Sequence, residues 1–304
     1  MDKQSKIILI SGPTASGKSN FAIKIAQKIN GEIINADSMQ VYKELKILTA
    51  RTIKKDQQNI KHHLYGYVDL NKKFSTGHWL KDAIKKINEI KKRKKIPILV
   101  GGTGLYFHSL INGLVNIPNI PLKIRNKIRL LQKKDGQEKF YKKLLKLDSK
   151  VKGRFDSRDT QRSIRAYEIK YHTRVSMYDW FNKTKSKFVE SDFIKYYINF
   201  DRQMLLKRIE IRTNQMIKLG VLKELKKFNK LKIKKEHNIN KVIGINELNK
   251  YLKKEISLDD AITLVIIRTR QYAKRQTTWA RGKMSSWINI NPNQISLVIK
   301  KFIF

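Results

Sequence analysis

One stretch of eight residues near the start of the chain constrains its fold more than any other. The pattern G-x-x-x-x-G-K-[ST] is matched there by Gly12, Pro13, Thr14, Ala15, Ser16, Gly17, Lys18 and Ser19. An apolar run at residues 7–10 precedes the match, and apolar residues at helical spacing follow it. This is the strand, glycine loop and helix of a phosphate-binding loop (P-loop). Its backbone N–H groups, the helix N-terminus and the Lys18 ammonium attract an anion, and the Ser19 hydroxyl is placed to meet Mg²⁺.

The charge of the chain points to a polyanionic partner. Its 304 residues include 67 Lys and Arg against 25 Asp and Glu, which gives a net charge of +42. Nucleic acid is the first candidate for such an excess. Biased base composition of the coding DNA would also raise the lysine content. Arginines are therefore the better guide, because the planar guanidinium suits phosphate recognition.

The sequence contains no cysteine, which excludes disulfides and thiolate zinc sites. No long apolar span precedes the P-loop, so we expect neither a signal peptide nor a membrane anchor. We expect a monomeric protein of the reducing cytoplasm.

Strand and helix patterns alternate beyond the P-loop. The predicted elements are strands at residues 32–36, 96–100 and 196–200, and a helix from about Thr76 that ends in the cations at 91–95. The alternation predicts an α/β fold with a mostly parallel sheet flanked by helices, as in the P-loop NTPases. Ligands of such sheets bind beyond the carboxyl ends of the strands. Residues 12–19, 37–40 and 101–104 all fall at those ends, so we expect them to lie together.

Residues 116–190 differ from the rest of the chain. They are very basic and poor in strand patterns, and a Pro-containing stretch at 117–121 introduces them. We predict a small helical subdomain inserted into a catalytic core of residues 1–115 and 191–304. A helix is predicted to open at Gln161, Arg162, Ser163, Ile164 and Arg165. Aromatic residues flank it, and they could stack on unpaired bases or form the core of the subdomain; they are Phe155, Tyr167, Tyr171, Tyr178 and Trp180.

Two residues at the strand ends could carry chemistry. Asp37 could act as a general base for an attacking amine or hydroxyl, or it could be a helix N-cap, and the residues alone favour neither. The Thr103 hydroxyl could help to hold an anionic oxygen, although a simple turn is the more ordinary interpretation.

Two helices in the second half carry arginines. Asp201 is predicted to open a helix on which Arg208 and Arg212 share a face. These arginines could neutralise phosphate charge, or they could form a solvated helix face. A last helix is predicted from Ser257, with Asp260 as a capping-box partner.

Other observations limit the chemistry. His62 and His63 are adjacent and without a nearby third ligand, so we interpret them as structural or as substrate contacts rather than as a metal site. Ordinary P-loop ATPases place an Asp after an apolar strand to hold Mg²⁺. Here the strand at 98–100 ends in Gly101, Gly102 and Thr103, so the phosphate cradle lacks its usual hydrolytic partner.

These stretches together resemble the bacterial tRNA dimethylallyltransferases, also called tRNA isopentenyltransferases. The matching stretches, in the order of the family, are residues 12–19, 37–42, 62–64, 99–106, 159–162, 268–276 and 278–279. They cover nearly the whole chain. The combination of the P-loop with the stretches at Asp37 and Gly101 is highly specific.

The resemblance implies transfer of a dimethylallyl group from dimethylallyl pyrophosphate to the exocyclic amine of an adenine. That adenine lies immediately 3′ of the anticodon, in tRNAs that read codons beginning with U. The implied base is Asp37, and the implied pyrophosphate contacts are the P-loop with Lys18, Ser19, Thr103 and Arg212. Mg²⁺ is the implied cofactor. The residues implied to contact the tRNA are Asp37, Ser38, Met39, Gln40, Thr103, Arg125, Gln161, Arg162, Ser163, Ile164, Arg165, Lys274, Arg275 and Arg281.

The sequence departs from the family at two places. It has Leu48-Thr49-Ala50-Arg51 where the family commonly has Gly-Thr-Ala-Lys, and Gly244-Ile245-Asn246 where the family commonly has Gly-Tyr-Arg or Gly-Tyr-Lys. A P-loop kinase for a small metabolite or nucleotide is the alternative activity, and an RNA-binding protein with a vestigial loop is a third reading.

Overall fold

Parallel strands form the centre of the structure. The computed structural model describes residues 6–52, 57–72, 74–115, 117–234 and 236–301. The strands within these residues are β1 (Ile7–Ser11), β2 (Gly31–Asn35), β3 (His62–His63), β4 (Ile96–Gly101), β5 (Phe193–Ile198) and β6 (Ile288–Ile290). They pair in the order β3-β2-β4-β1-β5-β6, and every pairing is parallel. The predicted sheet of an α/β fold is therefore confirmed.

The helices of the described residues follow the strands along the chain. They are α1 (Lys18–Lys28), α2 (Thr76–Lys92), α3 (Gly104–Asn112), α4 (Leu122–Leu147), α5 (Thr160–Thr173), α6 (Met177–Asn182), α7 (Arg202–Lys218), α8 (Val221–Asn229), α9 (Ile245–Leu252), α10 (Leu258–Lys283) and α11 (Ile295–Lys301). Ser257 caps α10 as predicted, because its side chain accepts a hydrogen bond from Asp260 N. The Asp260 side chain pairs with it by accepting from Ser257 Oγ at 2.7 Å.

Both faces of the sheet are covered because successive side chains of a strand point in opposite directions. In β1, Ile7 and Leu9 pack into an apolar cluster with Trp79 of α2. Ile8 and Ile10 pack into a second cluster with residues of α1 such as Phe21. The continuous apolar run of β1 is thus explained by its burial on both sides.

The observed strand bounds differ from the predicted ones by one residue at β2 (31–35 against 32–36) and at β4 (96–101 against 96–100), and by more at β5. The strand predicted at 196–200 starts at Phe193 and ends at Ile198. It ends early because Asp201 caps α7, with its side chain accepting from Met204 N at 2.9 Å. The two intervening residues must therefore make the turn from strand to helix.

The register of the sheet places three loops side by side. Ser11, the last residue of β1, pairs with Gly101 at the end of β4. Asn35, the last residue of β2, pairs with Val100 of β4. The segments that follow these strands therefore leave the same edge of the sheet.

The chain forms two compact units, Met1–Ile111 with Phe188–Phe304, and Asn112–Lys187. The predicted insertion was 116–190, and its first residue lies outside the described residues. The described part of the second unit is helical, and α4 is interrupted at Gly136, where φ is 72°. Its apolar core includes Phe155, Tyr167, Tyr178 and Trp180 as partly buried members, so most of the flanking aromatic residues serve as core.

Candidate active site

The P-loop connects β1 to α1 as predicted. Gly17 immediately precedes α1 in a left-handed conformation, with φ 88°. Ser16 N donates to Pro13 O at 3.2 Å, and the Lys18 ammonium donates to the same oxygen at 3.2 Å. The Ser16 hydroxyl is buried and has no hydrogen-bond partner among the described residues. The loop therefore presents donors and the N-terminus of an eleven-residue helix at one place.

Arg212 of α7 reaches this loop. Its Nη2 donates to Thr14 Oγ1 at 2.9 Å, so the interpretation of Arg212 as part of a solvated helix face is wrong. Arg208, one turn earlier, is exposed and lies over the Phe200 ring, with its guanidinium carbon 5.0 Å from the ring centre. The two arginines therefore differ in environment although they share a helix.

The surroundings of the two cations at the P-loop lower their pKa values. Burial lowers the pKa of Lys18 to about 8, Asp37 opposes this effect, and the Arg212 charge adds to it. Burial likewise lowers the pKa of Arg212 to about 10, again opposed by Asp37. An anion with several negative charges would favour the protonated form of both groups. The site is therefore suited to an anionic ligand.

Asp37 lies just beyond β2, and no helix begins there, so its interpretation as a helix N-cap is wrong. Its Oδ1 accepts from Met39 N at 2.9 Å, which makes a short side-chain turn. Asn35 Oδ1 accepts from Asp37 N at 2.9 Å, and Asn35 Nδ2 donates to Asp37 O at 3.0 Å. The second carboxylate oxygen of Asp37 has no hydrogen-bond partner within the described part of the chain. It is available to a substrate.

Thr103 positions the segment that carries Asp37. Its hydroxyl accepts from Ser38 N at 2.9 Å and donates to Ser38 Oγ at 3.3 Å. Thr103 N also donates to Ala36 O at 3.2 Å. Thr103 therefore does more than form a turn, because it ties the loop after β4 to the loop after β2.

Gln276 of α10 is a site residue that residue-level reasoning did not single out. Its Oε1 accepts from Thr14 N at 2.8 Å, and its Nε2 donates to Gly102 O at 2.9 Å. One amide thus links the P-loop to the loop after β4. Tyr272 lies one helical turn earlier, and burial raises the pKa of its hydroxyl, with the nearby Asp37 charge as a second cause. Both residues lie in the stretch 268–276 that matches the family, and their helical spacing on a predicted helix was a second signal.

A cavity of about 290 Å³ adjoins these groups. Its polar part is formed by Thr14, Asp37, Ser38, Arg212, Tyr272 and Arg275, among others. Its apolar part is formed by Met39, Leu48, Met216, Val242, Ile243 and Val265. A phosphate-binding loop, a carboxylate and an apolar wall therefore meet in one space. A second cavity of about 260 Å³ is lined by Gly102, Thr103, Arg275 and Trp279, among others.

The remaining predicted tRNA contacts fall on both units. In the first unit, Gln40 Nε2 donates to Thr49 O at 2.9 Å. Lys274, Arg275 and Arg281 are exposed on α10. These positions are accessible to a large polyanion.

In the second unit, Gln161 and Arg162 are exposed, and Ile164 and Arg165 are half-buried, in the first turns of α5. Ser163 is fully buried, donates to Asp159 O at 2.8 Å and accepts from Gln137 Nε2 at 3.0 Å. The Ser163 side chain is therefore hydrogen-bonded inside the second unit and is not exposed to a tRNA. Arg125 lies 3.5 Å from the Glu168 carboxylate.

The two adjacent histidines have a structural role. His63 Nε2 lies 2.6 Å from Glu32 Oε2, and Arg93 Nη2 lies 2.7 Å from the same oxygen. His62 Nδ1 lies 2.8 Å from Ile60 O. No group of three or more His, Cys, Asp or Glu side chains that could hold a metal ion occurs among the described residues.

The fold and site define a P-loop-like protein in which the glycine loop lies beside a carboxylate. The sequence pattern of the family described as IPP transferase matches residues 40–283. A tRNA dimethylallyltransferase of Pelagibacter ubique is 68% identical over 301 residues, which are 99% of this chain and 96% of the relative. One of Rickettsia massiliae is 40% identical over 98% of this chain and 84% of the relative. The chain belongs to the IPP transferase family.

Solved structures agree with this assignment. The tRNA isopentenylpyrophosphate transferase of Bacillus halodurans matches with a TM-score of 0.70 and 30% identity, over 98% of this chain and 95% of the other. A eukaryotic dimethylallyltransferase acting on tRNA matches with a TM-score of 0.81 and 30% identity, over 94% of this chain and 73% of the other. These relatives favour prenyl transfer over the kinase alternative. None of the helices in the described ranges is long and apolar enough to cross a membrane.

Proposed function

We propose that this protein transfers a dimethylallyl group from dimethylallyl pyrophosphate to the exocyclic amine of an adenine in tRNA. The adenine is the one immediately 3′ of the anticodon, in tRNAs that read codons beginning with U. The observation that carries the proposal is the position of Asp37. Asp37 lines the same cavity as Thr14 of the P-loop and Arg212, and apolar side chains line that cavity as well.

The P-loop and the cations around it would bind the diphosphate. Lys18 and Arg212 supply positive charge, and the backbone N–H groups at the start of α1 supply donors. The prenyl chain would lie against the apolar side chains of the cavity. The carbon bonded to oxygen would then lie between the P-loop and the segment that carries Asp37.

The reaction is a substitution at that carbon. The adenine amine nitrogen forms a bond to it, the carbon–oxygen bond to the diphosphate breaks, and the diphosphate leaves with the bonding electrons. The amine loses one proton, which Asp37 accepts through the carboxylate oxygen that has no partner within the described residues. Thr103 would hold the Asp37 segment in place through Ser38, and the cations of the P-loop would stabilise the leaving group.

The P-loop offers one residue, Ser19, that could bind Mg²⁺. The Ser19 hydroxyl makes no hydrogen bond with the described residues, and the P-loop contains no carboxylate. Mg²⁺ is commonly bound by few protein groups together with substrate phosphates. Ser19 would hold the ion with the diphosphate oxygens, and the ion would supply charge neutralisation for the leaving group.

The tRNA would approach the polar side of the cavity. Ser38, Met39 and Gln40 follow Asp37, and Lys274, Arg275 and Arg281 would contact the phosphate backbone. The insertion would contribute Arg125 and the first turns of α5, with Gln161, Arg162, Ile164 and Arg165. The adenine must leave its stack to reach Asp37. We propose a monomer that acts in the cytoplasm.

The test supplies the purified protein with Mg²⁺ and an anticodon stem-loop RNA. One reaction contains labelled dimethylallyl pyrophosphate and a second contains labelled ATP. Label from the prenyl donor in the RNA, identified by mass spectrometry of the nucleosides, is the expected result. Transfer of label from ATP would indicate a kinase instead. Binding of RNA without transfer from either donor would indicate an RNA-binding protein with a vestigial loop.

A further inference from the structure

A buried carboxylate lies among three arginines in the second unit. Glu168 of α5 is 1% exposed. Its Oε2 lies 3.5 Å from Arg125 Nε and 3.5 Å from Arg165 Nη1. Its Oε1 lies 3.7 Å from Arg129 Nε. A buried charge needs a partner because burial removes its hydration. One guanidinium can pair with both oxygens of a carboxylate, so three are more than this need requires.

The three arginines come from two helices. Arg125 and Arg129 are four residues apart on α4, so they share one face of that helix. Arg165 lies one turn before Glu168 on α5. Three positive charges at such short spacing repel one another, and the carboxylate between them offsets the repulsion. Glu168 therefore gathers the three guanidiniums at one place.

The outer part of this cluster is open to solvent. The exposed fraction of the side chain is 37% for Arg125, 43% for Arg165 and 54% for Arg129. Arg125 and Arg129 point their Nε atoms at the carboxylate, and their terminal Nη groups donate no hydrogen bond within the part of the chain that the structure describes. Each guanidinium carries five N–H donors in a rigid fork. Donors therefore remain for a ligand.

The charge and geometry of the cluster fit a phosphate backbone. One carboxylate neutralises one of the three guanidiniums, so two positive charges remain. A guanidinium donates two parallel N–H bonds to the oxygens of a phosphate, which a lysine ammonium cannot do. The exposed Gln161 and Arg162 lie on the same helix, one turn before Arg165. A polyanion with phosphates in a row can contact both places, and the proposed function supplies such a polyanion as its RNA substrate.

We infer that Glu168 is a positioning residue that holds Arg125, Arg129 and Arg165 together as one binding surface for RNA phosphates. Arg129 thereby joins the residues proposed to contact the tRNA. The inference rests on the proposed function, because it takes the RNA substrate as the anion. It deepens that function by naming the group that arranges the arginines.

The test measures the Kd of the full-length protein for the anticodon stem-loop RNA, together with kcat and KM for that RNA. Glu168→Gln keeps the size of the side chain and removes its charge. We expect Kd and KM to rise about tenfold or more, because the guanidiniums then separate and lose hydrogen bonds to charged oxygens. The kcat at saturating RNA should not change, because Asp37, Lys18 and Arg212 belong to the first unit.

The direction of the change separates positioning from charge. Glu168→Gln makes the protein more positive, so charge alone would tighten RNA binding. The matched control is Glu138→Gln. Glu138 lies on α4 in the same unit, and its exposed side chain pairs with Lys142. This variant removes the same charge outside the cluster, so its Kd should stay constant or fall.

Arg129→Gln tests the contact itself, and it decides the question if Glu168→Gln does not fold, because the Arg129 side chain is exposed. We expect a Kd about tenfold higher. The slope of log Kd against log salt concentration should fall by about 0.7–0.9, as for the loss of one phosphate contact. Lys142→Gln removes an equal charge from the same helix, and its slope should stay at the wild-type value.

Circular dichroism and thermal unfolding show which variants fold. A folded Glu168→Gln protein with a Kd at or below the wild-type value overturns the positioning role. An Arg129→Gln protein that matches Lys142→Gln overturns the binding surface. Both results leave the proposed function in place when the wild type transfers the prenyl group. A wild type that transfers no prenyl group, but whose variants bind RNA as expected, overturns the proposed function alone. A wild type that binds no RNA overturns both.

Discussion

Replacing Asp37 by Asn separates the proposed base from the structural role of the same side chain. The Oδ1 atom of Asp37 accepts from Met39 N at 2.9 Å, and an asparagine retains that oxygen in the same place. The supporting bonds from Asn35 and Thr103 involve the backbone of the segment, so they are also retained. The change removes the negative charge and the ability to accept a proton from the amine.

The expected loss follows from the role of a general base. Such a group contributes about 10²–10⁴-fold to the rate, which corresponds to about 3–5 kcal/mol of activation free energy at 1.36 kcal/mol per tenfold. The binding of the donor should respond differently. Asp37 is the carboxylate near Lys18 and Arg212, and its removal lessens the repulsion of a diphosphate. The Kd of dimethylallyl pyrophosphate should therefore stay constant or fall.

The assay is a single-turnover transfer of labelled prenyl group to the stem-loop RNA with both substrates saturating, together with titrations of each substrate alone. Asp69→Asn is the matched control. Asp69 Oδ1 accepts from Asn71 N at 2.8 Å, which is the same kind of turn, but it does not line the cavity. A rate constant for Asp37→Asn within tenfold of the wild type would refute the assignment of the base. A weaker binding of the donor would refute the electrostatic argument.

Three further substitutions test other parts of the structure. Thr103→Val leaves Ser38 N without its acceptor, so we expect a loss of about 1–3 kcal/mol in the free energy of unfolding, measured by urea titration, and a lower kcat. Gln276→Glu cannot donate to Gly102 O and adds a negative charge at the P-loop, so KM for dimethylallyl pyrophosphate should rise about tenfold or more. Burial alone would raise the pKa of Glu32, but hydrogen bonds from Arg93 and His63 outweigh it and hold that pKa at about 2. Because this pKa lies below the unfolded value, Glu32 stabilises the fold above about pH 4.5, and this contribution is lost as the pH falls towards 2. Urea unfolding at pH 7 and pH 3 should therefore show a smaller acid-dependent loss in Glu32→Gln than in the wild type.

The sheet and its loops could be predicted because the sequence patterns that specify them are local. The P-loop pattern, the apolar run of β1 and the periodicity of α1 and α2 each lie within a short window of sequence. Once the strands are parallel, their carboxyl ends must share one edge. The meeting of residues 12–19, 37–40 and 101–104 follows from topology without any knowledge of side-chain contacts.

The supports of the site were not predictable, because they join residues far apart in the chain. Gln276 and Thr14 are separated by 262 positions, and Glu224, whose carboxylate accepts from Ile47 N, is 177 positions from that residue. Nothing in the window around either residue indicates its partner.

The sequence left the role of Asp37 undecided for another reason. Aspartate is favoured both at helix N-caps and at catalytic positions, and only the structure excludes the helix.

The end of β4 explains why a carboxylate comes from β2 in this P-loop site. A Cβ atom on Gly101 would lie 2.0 Å from Ala36 O, so no side chain fits at that position. An acid placed there to hold Mg²⁺, as in hydrolytic P-loop enzymes, is excluded by the close approach of the two loops. The same approach lets Thr103 N donate to Ala36 O and Thr103 Oγ1 accept from Ser38 N. Gly101 therefore leaves no room for a hydrolytic acid at the end of β4, and the carboxylate near Lys18 and Arg212 is instead Asp37, which follows the neighbouring strand β2 and is the proton acceptor that we propose.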